Sequence, residues 1–124
     1  MPHPAKTYEK NALEIANPRE LEAQLLMRAA SKLQAVKDGA VTKMADVLSA
    51  VRYNRILWVL FAFSTSNPDN PLPIEIRKNV INLAAFVVNR SITLETAEEP
   101  EPDRVDVLIN INREIAAGLR TNAA

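Results

Sequence analysis

The chain predicts an all-α fold, an antiparallel bundle of four long helices with a short helix before them. Three observations lead there. Only two glycines occur in 124 residues, which leaves little turn chemistry for a many-stranded sheet. Hydrophobic residues make up 48%, more than a disordered chain carries. Apolar side chains recur at helical spacing over long segments joined by short polar connectors, and helices so joined pack most simply side by side in alternating directions. At this length a single domain, residues 1–124, is expected, with residues 1–7 and 121–124 frayed.

The first segment, about Ala5 to Ala16, spaces Tyr8, Ala12 and Ile15 one turn apart, on one face. Asn17-Pro18-Arg19-Glu20 then combines an amide N-cap, a proline at the first helical position and a glutamate three residues after the cap. All three favour helix initiation, so a second helix starts here. Leu21, Leu25, Ala29, Leu33 and Val36 form its stripe, and Asp38-Gly39 supplies a residue that takes the left-handed conformation where the helix stops.

The third helix is expected from about Ala40 to Phe63, with Met44, Leu48, Val51 and Trp58 on one stripe and Val47, Val51, Asn54, Trp58 and Phe61 on its neighbour. Ser64 to Pro71 reads as a loop, because its two prolines disfavour helical geometry in the residues before them. Pro73 restarts helix as an N-terminal proline. Ile76, Val80, Leu83, Val87 and Leu94 make the fourth helix's main stripe, while Ile81, Ala84 and Val88 widen it beyond what one neighbour could cover. Glu98 to Pro102 is an acidic connector and Asp103 a cap for the last helix, whose apolar face of Val105, Leu108, Ile115 and Leu119 is interrupted by Asn112.

The third helix contains the most informative stretch of the chain. From Asn54 to Phe63 an amide and a guanidinium lead into eight consecutive apolar residues that include the only tryptophan. A bilayer span needs about 20 apolar residues, so this run does not cross a membrane. A helix apolar on every side must be covered by the rest of the chain or by a partner.

Catalysis is hard to assemble from these residues. Fifteen basic side chains balance fifteen acidic ones, and the pI near 6.6 provides no positive field for a phosphate backbone. No direct nucleic-acid partner is therefore expected. The absence of cysteine excludes disulfides and thiolate chemistry, and the sole histidine, His3, lies near the N-terminus with no second group to hold it. Neither a metal site nor a cofactor nor an enzymatic activity is expected. Glu14, Glu20, Glu22, Glu75 and Glu95 fall mostly on polar faces and read as solvated surface, and neither Gly39 nor Gly118 belongs to a phosphate-cradling motif. The N-terminus, Met-Pro-His-Pro-Ala-Lys, lacks the apolar core of a signal peptide, which points to a cytoplasmic protein without a membrane anchor.

Asn54, Arg55 and Asn112 are polar residues embedded in apolar stripes, where an unsatisfied group costs about 1 to 3 kcal/mol. Two readings are open for them. They satisfy helix ends and loops inside the bundle, with Arg55 reaching carbonyls of the Ser64 to Asn70 loop or an acid on another helix; or they line an apolar groove and hydrogen-bond a bound segment. Trp58, with Phe61 one turn on, is correspondingly a core anchor or a partner contact.

Four stretches, in this order, resemble one family: Asn-Pro-Arg-Glu-Leu-Glu at 17–22, Asn-Arg-Ile-Leu-Trp at 54–58, Asn-Pro-Leu-Pro-Ile-Glu-Ile-Arg at 70–77, and Leu-Ile-Asn-Ile-Asn-Arg-Glu-Ile-Ala-Ala-Gly-Leu at 108–119. They are similar to the FlaF family of flagellar biosynthesis regulators of alphaproteobacteria, over about Tyr8 to Arg120. Within them Asn17, Pro18, Glu20, Leu72, Pro73, Arg77 and Gly118 are the structural motif residues. The family pattern carries an acid shortly after the tryptophan helix where this chain has Ser64, so a salt bridge from Arg55 or Arg77 to that position lacks its acid here.

The resemblance implies a protein that binds flagellin, assists its secretion and works with FlbT, a regulator of flagellin messenger RNA translation. A flagellin partner requires an apolar surface able to take an amphipathic helix. The second half of the third helix, the fourth helix and the last helix are expected to supply it, with Asn54, Arg55, Trp58, Phe61, Ile81, Ala84, Val88 and Asn112 as contact candidates. The competing classes are an RNA-associated regulator, whose best basic cluster would be Lys43, Arg52 and Arg55, and a structural homodimer that buries the surplus stripe against its own copy.

Overall fold

A computed structural model describes residues 18–121, and among these every regular element is helical. Helices α1 (Pro18–Lys37), α2 (Met44–Ser66) and α3 (Ile74–Glu95) are followed by a 3-10 turn (Pro102–Val105) that leads into α4 (Asp106–Thr121). They correspond to the second to fifth expected helices. The expected first helix and the Asn17 cap lie outside the described residues.

Polar contacts at the helix ends give the directions. Lys37 pairs with Asp106 and Glu20 with Arg120, so α1 and α4 run antiparallel. Arg55 pairs with Glu95 while Arg77 reaches Thr65, so α2 and α3 are also antiparallel. Lys32 of α1 lies over the Tyr53 ring of α2, which joins the two pairs along that edge. On the opposite edge α3 and α4 touch only sparsely, and a cleft of about 310 Å³ opens between Ile76 and Leu83 of α3 and Ile115 and Leu119 of α4. One core, including Leu26, Leu33, Val51, Trp58, Val80, Val87, Leu108, Ile109 and Leu119, fills the centre.

Helix boundaries follow from backbone bookkeeping. Gly39 has φ of 80° and ends α1 with two reverse bonds, Gly39 N–H to the Val36 carbonyl and Ala40 N–H to the Ala35 carbonyl. This is a Schellman cap, and it needs the conformation that glycine adopts without Cβ strain. Val41 N–H also turns back to Ala35, so the chain must leave the cap before a new helix begins. The start of α2 is therefore Met44, after an extended Lys43, rather than Ala40.

At its other end α2 continues three residues past Phe63, to Ser66. Pro68 sets that limit by forcing Asn67 into an extended conformation, φ −70° and ψ 127°, whereas Ser64, Thr65 and Ser66 tolerate helix. The hydroxyls of Thr65 and Ser66 donate to the Ala62 carbonyl. Pro73 precedes the first residue of α3 instead of opening it. Asp103 is not the cap of the last helix: Pro102 has no N–H, the chain tightens into the 3-10 turn with Asp103 inside it, and no side chain caps that turn. At the C-terminal end α4 runs through Thr121, whose hydroxyl donates to the Ala117 carbonyl.

Candidate partner-binding surface

The inward stripe of α2 carries a buried polar network. Trp58 Nε1–H donates to Asn112 Oδ1 at 2.8 Å, and Asn112 Nδ2 donates to Asn54 Oδ1 at 2.8 Å and to the Leu26 carbonyl at 3.0 Å. All three side chains are fully buried. Asn112 thus ties α4 to α2 across the centre of the bundle and to α1 beside it. Asn54 Nδ2 has no partner, so the network holds one orphaned donor. Phe61 meets Trp58 edge-on, with ring centroids 5.8 Å apart.

The α2–α3 seam is closed at both ends by arginines. Arg55 binds Glu95 through two hydrogen bonds, Nε to Oε2 at 2.8 Å and Nη2 to Oε1 at 3.2 Å, with Arg52 Nε 3.6 Å from the same carboxylate. The hydrogen bond to Glu95 raises the Arg55 pKa above its ordinary value. At the other end Arg77 donates Nε to the Thr65 carbonyl and Nη2 to the Asn67 carbonyl, both at 2.9 Å. The Thr65 carbonyl is one that the end of α2 leaves without a helical partner, and the Asn67 carbonyl, just past that end, also accepts the Asn70 N–H. The loop-capping role that the sequence offered to Arg55 belongs to Arg77, and Arg55 takes the acid on another helix.

Between those two ends lies an exposed apolar face. Consecutive helical residues are about 100° apart, so the run from Ile56 to Phe63 cannot all turn inward. Trp58 and Phe61 do. Ile56, Val59, Leu60 and Phe63, spaced i, i+3, i+4 and i+7, are 47%, 47%, 63% and 81% exposed. On α3, Ile81 and Ile92 are exposed and Val88 is half-buried. Val59 lies one turn beyond Arg55, Ile81 one turn beyond Arg77 and Ile92 one turn before Glu95. Because those charged residues mark the facing sides of α2 and α3, the exposed apolar residues border the same seam on its outer side.

A smaller apolar cleft of about 200 Å³, between α1 and α2, adjoins Leu60 and is lined also by Leu25, Leu26, Leu57, Phe61, Ser64 and Glu22. Burial there raises the Glu22 carboxyl pKa, and its Oε2 accepts no hydrogen bond. By contrast, the hydrogen bond from Arg120 holds the Glu20 carboxyl below its ordinary value.

The eight contact candidates divide sharply. Asn54, Trp58, Phe61, Ala84 and Asn112 are buried, and Arg55 is closed onto Glu95. None of these presents a free apolar surface. Ala84 is one turn from Val80 and joins its inward stripe, so it does not widen the outer one. Ile81 and Val88 remain on the outer side. The last helix adds nothing to that face, since Leu108, Ile109, Ile115 and Leu119 are all buried. Ile56, Val59, Leu60, Phe63 and Ile92 were not singled out by sequence; the i, i+3, i+4, i+7 spacing opposite the Asn54, Trp58 and Phe61 stripe is the signal that marks the first four. Arg52 and Arg55 share one carboxylate and do not form an open basic cluster.

Among the motif residues, Pro18 opens α1 and Glu20 lies in its first turn. Leu72 is buried, and its N–H binds Asn70 Oδ1 at 3.0 Å. Gly118 lies beside the α3–α4 cleft, where a Cβ would meet nothing within 4 Å. Among the described residues no helix is long and apolar enough to cross a membrane.

A family model described as flagellar protein FlaF matches residues 4–119. No curated protein and no solved structure matches the chain.

Proposed function

Because the chain belongs to the FlaF family of flagellar proteins, we infer that it binds flagellin and assists its production and secretion as a chaperone-like adaptor, without enzymatic activity, in partnership with a FlbT-like translational regulator in the cytoplasm. The observation that carries this reading is the uncharged outer face of α2 and α3, with Leu60 and Phe63 at its most exposed part. An amphipathic flagellin helix laid along the α2–α3 seam would bury both its own apolar stripe and this one. Such cover would keep an aggregation-prone client soluble until export.

Flagellin recognition by this face is tested by gel filtration of the two purified proteins at micromolar concentration. Wild type should coelute with flagellin, whereas Phe63→Asp and Val88→Asp should fold and elute apart from it. Wild type that elutes separately from flagellin defeats the reading. Capture undiminished by Phe63→Asp moves the surface elsewhere on the molecule.

A further inference from the structure

We propose that the outer α2–α3 face closes against a second copy of this chain, forming a homodimer through two antiparallel helix pairs. The six exposed residues Ile56, Val59, Leu60, Phe63, Ile81 and Ile92 together leave about 600 Å² of apolar surface in water, at the upper limit of what a soluble monomer shows in one patch. A stable dimer interface covers about 800 Å² on each partner, about two-thirds of it apolar at its core. The area available therefore supplies the apolar share of one partner's side of such an interface, with the polar rim making up the rest.

Charge argues the same way. Along this face, between its rims at Arg52 and Lys78, the positions are Ile56, Val59, Leu60 and Phe63 on α2 and Ile81, Ala85, Val88 and Ile92 on α3, none of them ionisable. Interface cores are depleted of charge in this manner. The formal net charge of the chain is zero, so no long-range repulsion holds two copies apart. Because α2 and α3 are antiparallel and of nearly equal length, 23 and 22 residues, a two-fold axis through the seam sets one helix pair on the other and pairs the same patch with itself. The regulatory consequence, that flagellin must displace the second copy, rests on the flagellin reading; the dimer itself does not.

The test is mass in solution by light scattering or sedimentation over about a hundredfold range of concentration. Wild type should approach twice its chain mass of 13.7 kDa and fall toward the single-chain mass on dilution. Leu60→Asp and Phe63→Asp should hold the single-chain mass throughout with unchanged helical circular dichroism, since both side chains are largely in solvent. A wild type of single-chain mass at the highest concentration overturns the proposal, as does a Phe63→Asp variant that dimerises as wild type does. Monomeric wild type that still captures flagellin removes the dimer alone, and a dimer that ignores flagellin supports this interface while removing the client reading.

Discussion

Replacing Asn112 by leucine keeps most of the side-chain volume and removes every polar contact that the residue makes in the core. Trp58 Nε1–H and Asn54 Oδ1 each lose the hydrogen-bond partner that Asn112 provides, at 2.8 Å in both cases. Orphaning a buried polar group costs about 1 to 3 kcal/mol, so Asn112→Leu should destabilise the bundle by about 2 to 5 kcal/mol. That is a large fraction of the total stability of a small domain. Trp58→Phe removes the other half of the first hydrogen bond, leaves Asn112 Oδ1 unpaired and opens space beside Phe61, for about 2 to 4 kcal/mol. The double variant contains neither the indole N–H nor the amide that accepts it. Its cost should fall short of the sum of the single costs by about 1 to 2 kcal/mol, because the same hydrogen bond is lost in both singles. Urea denaturation of the four proteins of the cycle measures this coupling. Costs that add within about 0.5 kcal/mol would refute the account of Trp58 and Asn112 as one interacting unit.

Three further perturbations probe separate parts of the structure. Gly118→Ala should raise stability by about 0.5 to 1 kcal/mol, because the helix gains backbone rigidity and the added methyl meets no atom within 4 Å; a lower melting temperature would mean that the α3–α4 cleft is tighter than described. Arg77→Gln should cost about 1 to 3 kcal/mol by releasing the Thr65 and Asn67 carbonyls, and hydrogen exchange should speed up first in the last turn of α2, whereas unchanged exchange there would contradict the clamp. Glu22→Gln should stabilise at neutral pH. Burial raises the Glu22 pKa, so this residue's contribution to stability is complete below the ordinary carboxylate value and is lost as pH rises through the folded-state pKa. The gain from glutamine should accordingly shrink as pH falls to about 4, and a gain of equal size at both pH values would remove the explanation.

Helix existence was legible because apolar period, proline and glycine all act locally. Gly39 and Pro68 each force one backbone conformation, and they set where α1 and α2 end. The polar composition of Ser64 to Ser66 misled the boundary, since hydroxyls that back-bond to Ala62 remain compatible with helix. Long-range pairing was less legible. Arg55 had two plausible targets in sequence, and only the antiparallel placement of α3 brings Glu95 to it and Arg77 to the loop. The surface was harder still. Trp58 is the most conspicuous residue of the apolar run and the most completely enclosed, whereas Phe63, two turns from Ile56, is the most exposed of the large apolar side chains. Which side of an all-apolar helix faces inward is decided by where its neighbours sit, and neighbours are a property of the bundle, not of the segment.

The central claim, that the outer α2–α3 face is the surface this protein uses, is tested most directly by methyl nuclear magnetic resonance during a flagellin titration. The methyls of Ile56, Val59, Leu60, Ile81 and Ile92 should shift or broaden together, while those of Leu33 and Leu119, enclosed in the α1–α4 half of the core, should stay in place. Movement at Leu33 and Leu119 with the α2–α3 methyls undisturbed would contradict it.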